Sequence, residues 1–411
     1  MHTVSDANNA DSATVILTGS TGSLGSYLLD SLTNQWHVRK IYCLNRAEDG
    51  QARQKEVSET RGLDADWDDH RVEFLHADLS QPGFGLSRKE YLRLLQEATH
   101  IIHNQWPVNF NWDLSSFEPH IRGVRHILDF CLDSPRKPEF LFVSTIGTVS
   151  HLPTSEPVPE RPNHLLSPDL GGYSASKHIC ELIIEEHMKS ETDQRAAICR
   201  VGQIAGPVLK DGGMWGKQEW LPTIIASSRH LRLLPSDLGS MDIINWVPVD
   251  ILAEIILELS GVVQSPVPSP DKLSHVVNGM KKDSHLDAKY QGAARKSSAV
   301  SVYHAVNPHD VSWSELVPTV ADLVGISAAN IVPWNQWVDV LRMSEQGADL
   351  ETNPGIKLLD FFESLGSQDG ENSGMMPPLA TKVSRARSKT MASLNPVGTE
   401  WMVRWLKQWG L

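Results

Sequence analysis

Residues 14–18, TVILT, form a short β-branched run that passes straight into Gly19-Ser20-Thr21-Gly22-Ser23-Leu24-Gly25 and then into a helix-forming stretch. No other feature confines the fold as tightly. A strand that turns on glycines into a helix is the first unit of an open parallel sheet with helices on both faces. Gly19 and Gly22 let the backbone approach an anion, and Gly25 lets the helix press on the strand. Thr21 lies in the turn, and the free N–H groups of Ser23 and Leu24 open the helix toward the same point. The rhythm then repeats. Short apolar runs at 38–44, 72–75, 100–103, 140–145 and 196–201 alternate with longer amphipathic stretches, as parallel strands joined by crossover helices do. A further run at 302–306 follows the apolar stretch 243–259, so the later chain is expected to return to the same sheet. The predicted fold is α/β, a doubly wound parallel Rossmann sheet with a smaller, mainly helical C-terminal substrate domain.

We divide the chain into a flexible tail at 1–13 and a dinucleotide-binding domain at 14–205, its sheet completed by 243–260 and 301–310. Residues 206–242 and 311–411 make the C-terminal domain, and the Pro- and Ser-rich, charge-mixed segment 261–298 a surface insertion. Fifty acidic against 37 basic residues, a formal charge of −13, lack the cationic excess that phosphate-backbone binding uses. No apolar run approaches the ~20 residues of a membrane span. Neither nucleic acid nor membrane is an expected partner. Cys43, Cys131, Cys180 and Cys199 are too scattered for a zinc site or a disulfide framework. No metal is expected, and with a polar start that has no signal-peptide organisation a cytoplasmic location is.

About twenty residues after the glycines, where an acidic side chain would take the ribose hydroxyl of NAD, the chain reads Leu44-Asn45-Arg46. A guanidinium there favours a 2′-phosphate, and Arg53 offers a second one. Asp78 and Leu79 after the third strand are placed to meet an adenine ring, and Asn104 after the fourth to sit in a small turn beneath the cofactor. Tyr173 and Lys177 are four residues apart, on one face of a helix. An ammonium beside a phenol is expected to lower its pKa from about 10, toward a range useful for proton transfer. Thr145 ends the fifth strand at the carboxyl edge of the sheet, where ligands of such sheets bind. Of the tryptophans in the second half, Trp215 and Trp220 are the candidates for a substrate cleft, and Trp401, Trp405 and Trp409 recur at i+4 as a packed helical face.

With these parts in this order, the sequence resembles the extended short-chain dehydrogenase/reductase superfamily. Within it, the chain looks like the thioester reductase domains of fungal nonribosomal peptide synthetase-like enzymes and polyketide synthases. The stretches that carry the resemblance are VILTGSTGSLGSYLL, CLNRAEDGQAR, HADLSQPGFGL, HIIHNQWPVNFNWDLSSFEPHIRGVRHILDF, FLFVSTIGT, YSASKHICE and WMVRWLKQWGL. The resemblance implies Thr145, Tyr173 and Lys177 as the catalytic set and Gly19, Thr21, Gly22, Gly25, Arg46, Arg53 and Asp78 as NADPH contacts. It also implies a phosphopantetheine-bearing carrier domain as partner and reduction of its acyl thioester to an aldehyde or alcohol. Two departures stand out. Gln105-Trp106 replaces a small residue after the fourth-strand asparagine, and His120-Ile121-Arg122-Gly123 replaces N-V-x-G, which puts an asparagine-supported proton relay in doubt and makes His120 a substitute candidate. Two other readings stay open. One is a reductase or epimerase acting on a free carbonyl compound, the other a nonenzymatic NADP sensor. A hydrolytic release domain would need G-x-S-x-G, which the chain lacks.

Overall fold

Seven parallel strands build one sheet in the computed structural model, which describes residues 12–152, 156–168, 170–189, 193–210, 212–213, 215–263, 300–346, 349–366 and 376–410. They are β1 (Ala13–Thr18), β2 (Val38–Asn45), β3 (Val72–His76), β4 (His100–His103), β5 (Glu139–Thr145), β6 (Ala196–Val201) and β7 (Val300–Ala305). Their spatial order is β7-β6-β5-β4-β1-β2-β3. The chain starts in the middle, winds outward to β3, crosses back to β4 and winds outward again. The crossovers include α1 (Ser23–Thr33), α2 (Gly50–Thr60), α3 (Arg88–Glu97), α4 (Glu118–Asp133) and α5 (Gly172–Met188).

Successive side chains of a strand point to opposite faces, and here both faces are covered. Val15, Leu17, Ile41, Cys43, Leu141 and Val143 join one core with α1, while Ile16, Tyr42, Leu44, Phe140 and Phe142 join the other with α3, α4 and α5. That is why the strands read as near-continuous apolar runs. The C-terminal helices at Trp313–Val324, Trp334–Met343, Leu359–Gly366 and Thr399–Gln408 pack into the first core, so that core runs from the sheet through the helical part.

One expectation is corrected. Residues 243–260 add no strand to the large sheet. After α6 (Trp220–Leu231), Ile243–Ile244 pairs only with Val311–Ser312 and Val247–Pro248 only with Ile204–Ala205, and the apolar stretch becomes α7 (Val249–Leu259), buried almost all round beside α1. An unbroken apolar run suits a buried helix as well as a strand. Most of the tail at 1–13, the insertion at 261–298 from residue 264 on, and residues 367–375 lie outside the described residues.

The distal chain returns as a strap. The Val158 N–H donates to the Pro378 carbonyl (2.8 Å), and the Ala380 N–H donates back to Val158 (3.0 Å). The Glu160 carboxylate accepts the N–H groups of Val383 (2.5 Å) and Ser384 (2.8 Å), and the Ser384 hydroxyl accepts the His304 N–H of β7 (2.9 Å). Beyond it, the Trp405 indole N–H donates to the Gly206 carbonyl (2.9 Å). Among the described residues, no helix is long and apolar enough to cross a membrane.

Candidate active site

The glycine turn is a tightly nested backbone. Gly19 has φ +71°, and a Cβ there would lie 2.8 Å from the Gln105 Cα, so only glycine lets the turns after β1 and β4 meet. A Cβ on Gly25 would lie 1.9 Å from the Gly19 carbonyl oxygen. Gly22 caps α1 with no side-chain hydrogen bond, which leaves the first N–H groups of the helix, at Ser23 and Leu24, open to an anion. Thr21 is half-buried in the same turn. Asn104 braces it, its amide donating to the Gly19 carbonyl (3.3 Å).

Beside this cradle lies a cavity of about 100 Å3, walled by Arg46, Asp78, Leu79, His103, Gln105 and His120 among others. Arg46, Asp78, Leu79 and His120, all singled out in the sequence, therefore meet there. Arg46 is exposed just past β2, and Asp78 accepts from the Ser80 hydroxyl (2.7 Å) and N–H (3.0 Å). These bonds, with the Arg46 charge, hold the Asp78 carboxyl below its usual range. Arg53 stands exposed on α2 and is not part of this wall. His120 does line it, and burial, Arg46 and Lys177 together lower its pKa, which favours the neutral ring.

His103 was missed in the sequence. The Thr18 hydroxyl accepts the N–H groups of Asn104 and Gln105 (both 3.1 Å), so its own proton goes to His103 Nδ1 (2.8 Å). Burial lowers the His103 pKa to about 3, so the ring is neutral and Nε2 carries the proton. That buried N–H has no hydrogen-bond partner among the described residues. A glycine cradle no Cβ could share, an open helix N-terminus, a guanidinium and an unpaired donor by one cavity fit a dinucleotide phosphate ester.

At the adjoining edge of the sheet, β5 ends in Thr145, whose hydroxyl accepts the Gly147 N–H (3.1 Å). Gly147 has no room for a side chain, because the Ser174 hydroxyl lies 2.5 Å from where its Cβ would be. The first turn of α5, which carries Tyr173, thus docks on the turn after Thr145 through Ser174. Phe110 and Phe117 pack edge-on against the Tyr173 ring, at 5.1 and 6.3 Å between centroids. One turn further, Lys177 is 2% exposed and donates to the Val143 carbonyl (2.5 Å).

The electrostatics differ from expectation. Burial pushes the Tyr173 phenol up to about 12, and no ammonium offsets it. Burial also lowers Lys177 to about 7, against the opposing pull of Cys180 and Glu181. Lysine lies on the expected helix face, but its charge is spent on the Val143 carbonyl and on ring faces rather than on the phenol.

Behind Lys177, Glu181 forms a buried hub. Its carboxylate accepts the hydroxyls of Ser144 (2.6 Å) and Thr148 (3.2 Å) and pairs with Arg200 (2.6 Å), at side-chain exposures of 2% and 0%. Arg200 also donates to His304 Nε2 (3.3 Å), which sets the proton on Nδ1, bonded to the Ala380 carbonyl (2.8 Å).

Trp215 does not line a cleft. It is 2% exposed inside a tryptophan cluster with Trp246, Trp405 and Trp409, its indole N–H on Glu219 (2.7 Å). Trp220 is half-buried and donates to the Gln203 side chain (3.1 Å), just past the carboxyl end of β6.

The protein-family model described as "Male sterility protein", a NAD-binding family, matches residues 17–256. A carboxylic acid reductase of Neurospora crassa is 40% identical over 397 residues, 96% of this chain and 35% of that protein. The chain spans about a third or less of the curated relatives it matches first. In fold it is similar to the terminal R domain from the myxalamid PKS-NRPS biosynthetic pathway, with TM-score 0.71 at 23% identity over 97% of this chain and 91% of that one. It is also similar to a thiolation-reductase di-domain from an archaeal nonribosomal peptide synthetase, with TM-score 0.66 at 17% identity over 97% and 75%. With more than half of its length matched by that one family model, glycine cradle included, the chain belongs to the NAD-binding male sterility protein family.

Proposed function

We propose that the chain reduces an acyl thioester, held on the phosphopantetheine of an acyl or peptidyl carrier domain, to an aldehyde, with NADPH as reductant in the cytoplasm. The observation that carries this reading is that Ser174, next to Tyr173 in the first turn of α5, packs on the turn after Thr145 while Lys177 donates to the Val143 carbonyl at the end of β5. Kinship with the carboxylic acid reductase and likeness in fold to the thiolation-reductase di-domain support the substrate class. Relatives much longer than this chain support a carrier in the same polypeptide.

The dinucleotide, when bound, supplies the hydride. Gly19, Thr21, Gly22 and the N–H groups of Ser23 and Leu24 would hold its pyrophosphate, with Asn104 bracing the turn. Arg46 would hold its 2′-phosphate, and Asp78 and Leu79 its adenine. Arg53, exposed on α2, is the second guanidinium for that phosphate. Thr145 and Tyr173 donate hydrogen bonds to the carbonyl oxygen as negative charge grows on it, and the protonated phenol of Tyr173 delivers the proton to that oxygen. The Lys177 ammonium adds a positive field at the edge. The hydroxyl proton of the resulting thiohemiacetal then passes to the sulfur as the C–S bond breaks, so the thiol leaves and the aldehyde remains. Trp220, beside Gln203, is the substrate-side tryptophan of this reading.

The test is NADPH oxidation with an N-acetylcysteamine thioester, with aldehyde and alcohol followed by mass. Turnover to aldehyde is expected, and alcohol only if a second hydride follows. Turnover of free aldehyde alone would favour the reductase acting on a free carbonyl, and NADPH binding with no turnover of either would favour the sensor. Arg46→Ala should raise the KM for NADPH by roughly 10- to 100-fold, the worth of hydrogen bonds to a charged group. The KM for NADH should hardly change. Equal losses for both would remove Arg46 from the 2′-phosphate.

A further inference from the structure

A buried ammonium needs compensation, and Lys177 has no carboxylate at ion-pair distance among the described residues. Glu181, one turn along α5, is committed to Arg200, Ser144 and Thr148. Beyond the Val143 carbonyl, Lys177 meets rings. Its Nζ stands 4.3 Å from the centroid of Trp106 and 4.6 Å from that of Phe142. We infer that Trp106 is a positioning residue, whose indole face holds the Lys177 ammonium at the end of β5.

This inference rests on the proposed reading of Lys177 as the cation whose field acts at the edge where Tyr173 donates its proton. Trp106 is itself fixed: it stacks parallel to Phe117 (11° between planes), leans on His120 at 5.6 Å and meets Phe142 edge-on at 5.8 Å. Tryptophan presents the most negative face of any side chain to a cation, and burial strengthens that attraction. The other groups facing the ammonium do not replace it. His103 on β4 and His120 on α4 both have lowered pKa values, so neither adds a competing charge at neutral pH. Cys180 and Glu181 on its own helix pull toward the charged form, and Arg200 on β6 offsets Glu181. Trp106 stands where the resemblance expects a small residue, in a chain with His120 where it expects an asparagine.

With burial bringing Lys177 to about 7, the ammonium is lost as pH rises through that value. Removing the ring face lowers the value further. Trp106→Leu should therefore move the alkaline limb of kcat/KM to lower pH by about one unit, and Trp106→Phe by less. A loss of activity equal at all pH values, with the limb unmoved in both variants, would make Trp106 only a wall and overturn the inference. The same titration is read without turnover, from the 13Cε resonance of Lys177 in cofactor-free protein, assigned by its absence in Lys177→Arg. A shift there beside absent thioester turnover would sink the proposed reaction and leave the Trp106 contact standing. An unshifted resonance in a folded Trp106→Leu protein would sink the contact itself.

Discussion

Tyr173→Phe should lower kcat by roughly 10²- to 10⁴-fold, the range over which a positioned proton donor acts, while NADPH still binds. The substitution keeps the ring, so the edge contacts with Phe110 and Phe117 survive and the fold is not at issue. Only the hydroxyl is lost. Burial raises that phenol to about 12, so at neutral pH it holds its proton, which is the state a donor requires. The sign of the pH dependence follows. Raising pH from 6 to 9 should not exhaust the Tyr173 donor, and the decline expected as pH passes about 7 belongs to Lys177. Cofactor binding by fluorescence beside single-turnover rates would separate the steps, and wild-type turnover in Tyr173→Phe would mean that the proton comes from another group.

The second large effect is on stability. Glu181→Ala should destabilise the fold by about 3–5 kcal/mol, the cost of breaking a buried ion pair from one side. Arg200 would then keep a charge at 0% side-chain exposure with, among the described residues, only the His304 ring nitrogen to accept from it. His304 offers no anion, since burial and the neighbouring guanidinium lower its pKa to about 4. The double substitution Glu181→Leu with Arg200→Met should recover much of the loss, because exchanging a whole buried pair for apolar groups is often neutral. Urea midpoints of the two variants measure the difference. Equal midpoints for Glu181→Ala and wild type would show that the pair contributes nothing to stability.

The sheet was legible because each strand carries its own signal. Residues 100–103 and 196–201 are strands as expected, and the glycine turn follows β1 directly. Residues 243–260 were harder, since a run apolar at every position has no period to tell a buried helix from a strand. In the site, Tyr173, Lys177 and Arg46 could be read from spacing and position, but the direction of the Lys177 charge could not. It is set by Trp106 and Val143, neighbours only in the folded chain. Trp215 failed for the same reason, as its three indole neighbours come from far along the sequence. The hub had a faint signal: Arg200 is a charge between Cys199 and Val201 in an interior strand, and Glu181 repeats the four-residue step of Tyr173 and Lys177.

The strap over β7 also orders events in time. As the chain leaves the ribosome, β1 to β6, the glycine turn and the Tyr173 helix emerge early, but the acceptor for His304 is the carbonyl of Ala380 and the donors to Glu160 are at Val383 and Ser384. Until those residues emerge, β7 lacks its Ser384 acceptor and the His304 ring that faces Arg200 lacks its anchor on the Ala380 carbonyl. Contacts of such long sequence separation form late, and an unpaired strand edge is the surface on which nascent chains associate. The amino-terminal half thus holds the parts of the site before it holds a finished one, and premature termination short of the strap should yield chains that associate through that edge.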